Sequence, residues 1–202
     1  MDQETQEILK KTLQLFFKYG VRSISMDDIA NQLGISKKTL YNHFENKADL
    51  IEKIMLGHIS DEENLCEQLV DDKANAIDQL AQIYQFNLNL KGNINPTLIF
   101  ELKKYYGKVW QHFEDHKHNY VQKQVFKNIE LGQGQGLYRK DLNAQIISRI
   151  YTNRIDMIVD GDVFPMTEFS FREVIHELFI YHIRGIATSE GIAHLENTQV
   201  NF

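Results

Sequence analysis

The sequence predicts an all-α protein, with an N-terminal three-helix head that contains a helix-turn-helix and a helical C-terminal body. Two prolines among 202 residues, and 11 glycines placed mostly between periodic segments, leave few breaks. The many short turns of a sandwich or barrel would need more. Apolar residues recur at the three-to-four spacing of helices in segment after segment. At 43% apolar residues the chain has ample material for a buried core, which excludes a disordered or fibrous protein.

The first helix is expected over residues 3–19, where Ile8, Leu9, Leu13, Phe16 and Phe17 share one face. Gly20 stops it as a left-handed C′ residue, and Val21 folds back on the last turn. Ser25-Met26-Asp27-Asp28 is a capping-box pattern with aspartate where glutamate is commoner, and both aspartates suit the positive end of a helix dipole. It starts a short helix at Met26 that ends at Gly34. Ile35-Ser36 then supplies an apolar plug and a fresh N-cap for a helix through Lys37 to His43.

Asn46-Lys47-Ala48-Asp49 caps a long fourth helix that runs through Leu50, Ile51, Ile54, Met55, Ile59, Leu65 and Leu69 to the acidic break Asp71-Asp72. Further helices are expected over roughly 74–90, ended by Gly92, over 96–106, with Asn95 as cap and Pro96 first, and over 108–131. Three glycines between Gly132 and Gly136 read as an interhelical loop. Asp141 or Asn143 caps the next helix, ending near Gly161, and a last helix runs from about Ser170 to Ser189. Residues 1–46 are thus expected to form the head and 47–202 the body, sharing the fourth helix as a rigid lever.

Charge and cysteine content bound the setting. The net charge of −6 argues against a broadly basic sleeve for nucleic acid, but residues 1–50 hold seven basic and seven acidic side chains, so the whole deficit arises later. A neutral head with lysines at 37, 38 and 47 fits a local phosphate contact. No apolar run approaches the ~20 residues of a membrane span, and the N-terminus is polar. Cys66 is the sole cysteine, so no internal disulfide forms and a reducing cytoplasm is the expected compartment.

Residues 26–44 meet the requirements of a helix-turn-helix. Ala30 lets two helices cross closely, Gly34 makes the turn, and Ile29, Leu33, Ile35, Leu40 and Phe44 supply the shared core. That leaves Lys37, Lys38, Thr39, Tyr41, Asn42 and His43 outward. Lysines neutralise phosphates, hydroxyls bond phosphate oxygens, and an amide such as Asn42 reaches a base edge in the major groove. Lys47 opposes the dipole of the helix it begins, which a nearby phosphate would explain. With the cap serines Ser25 and Ser36, these residues form the expected DNA-facing set.

These residues resemble the tetracycline-repressor (TetR) family of bacterial transcription regulators. The likeness covers residues 8–51: Leu15-Phe16 and Gly20, then Ser25-Met26-Asp27-Asp28-Ile29-Ala30, Leu33-Gly34-Ile35-Ser36, and Thr39-Leu40-Tyr41-Asn42-His43-Phe44 followed by Lys47 and Leu50. It implies a DNA-binding head, a C-terminal helical ligand-binding and dimerisation domain, and repression relieved by a small molecule. It also implies that positions matching Thr39, Tyr41, His43 and Lys47 touch DNA, chiefly phosphates. Lys37-Lys38 stands where many relatives carry a lysine or arginine, a proline or a glycine, so base preference does not transfer there.

On that resemblance the partners are double-stranded operator DNA, a second copy of the chain and an unidentified small-molecule effector, with no membrane and no cofactor. Two-fold symmetry would set the recognition helices about 34–36 Å apart or somewhat more, on an inverted repeat. The last two predicted helices have wide apolar arcs, in which Ile147, Ile150, Tyr151, Ile158, Ile175, Leu178, Phe179 and Ile186 are the expected dimer contacts, although complete internal burial would also explain them. The aromatic-rich stretch after residue 84 offers Phe86, Phe100, Tyr106, Trp110, Phe113 and Tyr120 as cavity walls, against the plainer reading that each is core filler.

Other constellations carry less. His112 and His116 stand four apart with His118 beyond, but Glu114, Asp115, Lys117 and Lys123 mark a solvated face rather than a metal site. Glu173-Val174-Ile175-His176 has the form used in di-iron bundles and lacks the second copy such sites need. The glycines at 132–136 lack the strand and the Gly-Lys-Ser/Thr ending of a phosphate loop. Cys66 lies among Glu62, Glu63 and Glu67, which favours a structural thiol over a sensor. No acid pair, activated nucleophile or metal set emerges, so a regulator is expected rather than an enzyme. The alternative retained is a ligand-independent DNA-binding or partner-binding helical protein.

Overall fold

A computed structural model describes residues 2–69, 73–91, 96–158, 160–165 and 167–197. The helices are α1 (Gln3–Tyr19), α2 (Met26–Leu33), α3 (Lys37–His43), α4 (Lys47–Leu69), α5 (Ala76–Lys91), α6 (Pro96–Tyr105), α7 (Gly107–His116), α8 (Gln122–Gly134), α9 (Ala144–Ile158), α10 (Phe171–Ile186) and α11 (Ser189–Asn197). Among the described residues the sole β pairing is an isolated bridge between Tyr138 and Ala187. The chain divides into two compact units, Met1–Glu63 with Asn93–Glu114, and Asn64–Gly92 with Asp115–Phe202.

The helices α1 to α3 start and stop largely where the sequence expects, from caps and apolar faces. Asp2 caps α1 by accepting from the Thr5 N–H at 2.7 Å. Ser25 and Asp28 complete their capping box, each side chain accepting from the other's backbone N–H. Gly34 sits in the left-handed region at φ 69°, ψ 26°, and its N–H closes α2. Gly20 also takes a positive φ of 79°, but with ψ 171° it is extended rather than left-handed helical. Val21 is fully buried behind it. One core joins Ile8, Leu9 and Phe16 of α1, Ile29 and Ala30 of α2, Leu40 of α3 and Leu50, Ile51 and Ile54 of α4. Leu98, Leu102 and Val109 complete that core from α6 and α7, while Leu33 and Ile35 pack against it half-buried.

The second unit departs from expectation in four places. The helix expected over 108–131 is interrupted by a π turn at Lys117–Val121. At this wider turn Lys117 is buried and donates to Asp156 of α9 at 2.9 Å. The glycine stretch is not a loop throughout, since α8 continues to Gly134. Gly132 lies within α8, where the Tyr138 ring packs in the space a Cβ would take, and of the three glycines only Gly136, at φ 77°, takes a positive φ in the turn. The next helix stops at Ile158 rather than near Gly161, its N-terminus capped by Asn143, which accepts from the Ile146 N–H at 3.1 Å. The last expected helix ends at Ile186, where Arg139 N–H donates to the Ile186 carbonyl and Thr188 N–H to that of Leu137. That pairing turns the chain into a separate α11, which docks on α5 through His194 and Asp78, 2.8 Å apart. The expected stops at Asp71-Asp72 and Gly92 and the cap at Asn95 lie outside the described residues. Among those described, no helix is long and apolar enough to cross a membrane.

Candidate nucleic-acid interface

Helix α3 is seven residues long and is held by two buried side chains. Leu40 and Phe44 are buried and anchor the helix from behind. Ser36 caps it, accepting from the Thr39 N–H at 3.0 Å, and its hydroxyl lies 2.8 Å from that of Thr39. Lys38, Tyr41 and Asn42 are exposed. Lys37 is also exposed but pairs with Asp27 of α2 at 2.8 Å, which raises its ammonium above the ordinary value. This pairing leans the lysine back over α2, while Lys38 makes no ion pair among the described residues.

Three further members of the expected DNA-facing set, Ser25, His43 and Lys47, also have protein partners. Ser25 is engaged in its capping box, where its hydroxyl and N–H hold the Asp28 carboxyl below the usual range. His43 does not point freely outward. Its Nδ1 lies 2.9 Å from the hydroxyl of the buried Thr5 on α1, and its Nε2 is 3.6 Å from Glu4. Lys47 is half-buried and donates to the Ile24 carbonyl. Burial lowers its ammonium, against the opposing pull of Glu101 and Asp28.

Glu101 is the side chain that sequence reading missed. It lies on α6, some eighty residues from the turn between α1 and α2, yet its Oε2 accepts from the N–H groups of Val21 at 2.7 Å and Arg22 at 2.9 Å. The Arg22 guanidinium stands 4.2 Å from the centroid of Tyr105, one helical turn along. No local spacing signals such a contact.

The aromatic candidates fall into two groups. Tyr106, Trp110 and Phe113 pack half-buried against the core of the first unit, with Trp110 and Phe113 centroids 6.0 Å apart. Phe100, in the same unit, is 54% exposed beside Lys104. Phe86 and Tyr120 are half-buried in the second unit, where Tyr120 stacks on His116 at 5.3 Å. Among the expected dimer contacts, Phe179 and Ile186 are turned into the core of their own chain. Ile147, Tyr151 and Ile175 pack half-buried against that core, and Ile158 and Leu178 are also half-buried. Ile150 is 63% exposed, and Ile146, Met157 and Tyr181 are exposed on the same two helices. His112 joins Lys108 on Glu52 rather than facing solvent alone, and no group of three potential metal-ligating side chains assembles among the described residues.

A family model described as bacterial regulatory proteins, tetR family, matches residues 8–54. An HTH-type transcriptional regulator of Bacillus subtilis, YvaF, is 24% identical over 92% of this chain and 96% of its own. The HTH-type transcriptional repressor KstR2 of Mycobacterium tuberculosis is 23% identical over 71% of this chain and 73% of its own. The solved structure of KstR2, a ketosteroid transcriptional regulator, superposes with a TM-score of 0.61 at 18% identity, covering 94% of this chain and 97% of that one. A transcriptional regulator from Saccharomonospora viridis solved in complex with choline superposes at 0.65 and 17% identity, over 93% and 100%.

Proposed function

Because the chain belongs to the TetR family and is a transcriptional regulator, we propose that it acts as a cytoplasmic homodimeric repressor, released from operator DNA when a small-molecule effector binds its helical body. The observation that carries the DNA-binding half is the exposed row Lys38, Tyr41 and Asn42 on a helix anchored from behind by Leu40 and Phe44. In this reading Lys37 and Lys38 neutralise phosphates, the hydroxyl of Tyr41 and one of the paired hydroxyls of Ser36 and Thr39 bond phosphate oxygens, and Ser25 serves through its cap on α2. Asn42 reads a base edge. Lys47 retains donors beyond the one given to Ile24, and His43 serves the edge of the same surface.

The dimer reading is supported by the exposed apolar side chains of α9, Ile146, Ile150 and Met157, with Tyr181 on α10. A single chain leaves these in water. The effector reading is supported by the choline complex of a structural relative, and Phe86 and Tyr120 of the second unit are its proposed contacts. Release is a population shift: an effector that favours the body conformation with the heads wrongly spaced lowers DNA affinity by a coupling of about 1–3 kcal/mol. Operator DNA then weakens effector binding by the same factor.

The test is fluorescence anisotropy with DNA from upstream of the gene, titrated with salt and screened against a broad set of small molecules. A steep fall in affinity between about 50 and 200 mM salt is expected. So is at least one compound that weakens binding. Tight DNA binding that no compound alters contradicts the effector reading and leaves a ligand-independent DNA-binding protein.

A further inference from the structure

We propose that Glu101 is a positioning residue for DNA binding, a carboxylate that fixes the turn from which the α2–α3 module departs and thereby aims α3. The proposal rests on the reading that α3 meets DNA. Between Tyr19 and Met26 the chain leaves one helix and starts another, so its N–H groups need partners from elsewhere. Val21 and Arg22 find theirs on a single carboxylate oxygen, the Glu101 Oε2, at 2.7 and 2.9 Å. Two adjacent N–H donors converging on an ionised acceptor make a charge-assisted clamp, stronger than two neutral bonds.

The surrounding residues are fitted to that clamp. Gly20 takes φ 79°, and a Cβ there would come to 2.8 Å from the Glu101 Oε2, so glycine serves both the backbone and the approach of the carboxylate. Leu98 and Leu102, three before and one after Glu101, are buried in the core of the first unit and fix the face that α6 presents. Arg22 lies over Tyr105 of the same helix. At the far side of the turn Lys47 holds the Ile24 carbonyl, and Ser25 with Asp28 caps the start of α2. The turn is therefore gripped from α6 at one end and from the start of α4 at the other.

The sign of the effect separates positioning from charge. An acidic side chain near a DNA-binding surface repels phosphate, so removing it strengthens binding if charge alone matters. If Glu101 aims α3, removing it weakens binding instead.

The experiment compares wild type, Glu101→Ala and Glu101→Gln in the full chain, measuring Kd for an upstream promoter fragment at several salt concentrations, thermal unfolding, and hydrogen exchange at the Val21 and Arg22 amides. Glu101→Ala is expected to lose at least about tenfold in affinity. Its salt slope should remain that of wild type, since no phosphate contact is lost, and both amides should exchange faster. Glu101→Gln keeps an oxygen acceptor and should stay within about threefold of wild type. Unchanged or tighter binding by Glu101→Ala overturns the proposal, as does slow exchange at both amides. Should the alanine variant not fold, Glu101→Gln decides: slow amide exchange with near-wild-type affinity supports the clamp, and fast exchange with unimpaired affinity overturns it. Failure of the wild type to bind any promoter fragment contradicts the DNA reading itself, and the proposal with it.

Discussion

Gly132 and the ring of Tyr138 are in direct contact inside the second unit, the ring occupying the space a side chain on residue 132 would need. Gly132→Ala gains about 1 kcal/mol of helix propensity, but overpacking the buried ring costs about 1–3 kcal/mol. Net destabilisation is expected. Gly134, in the same helix, faces open space, so Gly134→Ala should stabilise. Denaturant midpoints of the two variants should move in opposite directions.

The Arg154 guanidinium lies 3.5 Å from the Tyr151 centroid and donates to the Leu178 carbonyl, with no carboxylate partner among the described residues. His182 sits beside the same tyrosine ring, 4.3 Å between centroids, with its Nε2 buried and unpartnered. Burial, reinforced by Arg154, pushes the imidazole down from 6.5 to about 3. A base depressed in the folded state contributes stability that is complete above its unfolded value and lost as pH falls toward the folded one. Unfolding free energy should therefore decline from about pH 6.5 downward, before carboxylates near 4.5 begin to titrate. His182→Phe, which keeps a ring and loses the titration, should flatten that part of the profile in chemical denaturation.

Ser25 and Asp28 satisfy each other's backbone donors at the start of α2. Ser25→Ala should cost about 0.5–2 kcal/mol in thermal or chemical unfolding. Because α2 supports α3, operator affinity should fall as well. Ser60→Ala, at an exposed position of α4, provides the comparison and should not lower stability.

Lys47 and Asn42 should respond differently in DNA binding. Lys47→Ala is expected to weaken all sequences similarly and reduce the salt slope by about one. Asn42→Ala should relax preference at one base-pair position, at about 1–3 kcal/mol of discrimination. If Lys47→Ala binds with an unchanged slope, the lysine acts only through its bond to the Ile24 carbonyl.

What was legible in the sequence was local. Caps at Ser25, Ser36, Asn46, Asn143 and Ser170, and the stop at Gly34, follow from residues that act on backbone within a few positions, so the helices they bound emerge from spacing alone. What was hidden depends on distant partners. Glu101 reaches Val21 and Arg22 across the chain, and Gly132 is explained only by Tyr138. The π turn at Lys117–Val121 inserts itself without breaking the apolar pattern, and α11 begins after a two-residue pairing with Leu137 and Arg139. His43 shows the same limit within the candidate interface, since its outward register could not reveal that Thr5 draws the ring toward α1.

The most direct measurement is footprinting of the protein on its own promoter, combined with the mass of the complex in solution. The account predicts protection of an inverted repeat whose half-sites are centred about one helical turn apart or somewhat more. Two chains should occupy it, and Lys38→Ala with Asn42→Ala should abolish the protection. A chain that stays single, or that protects no segment of the promoter, would contradict the account.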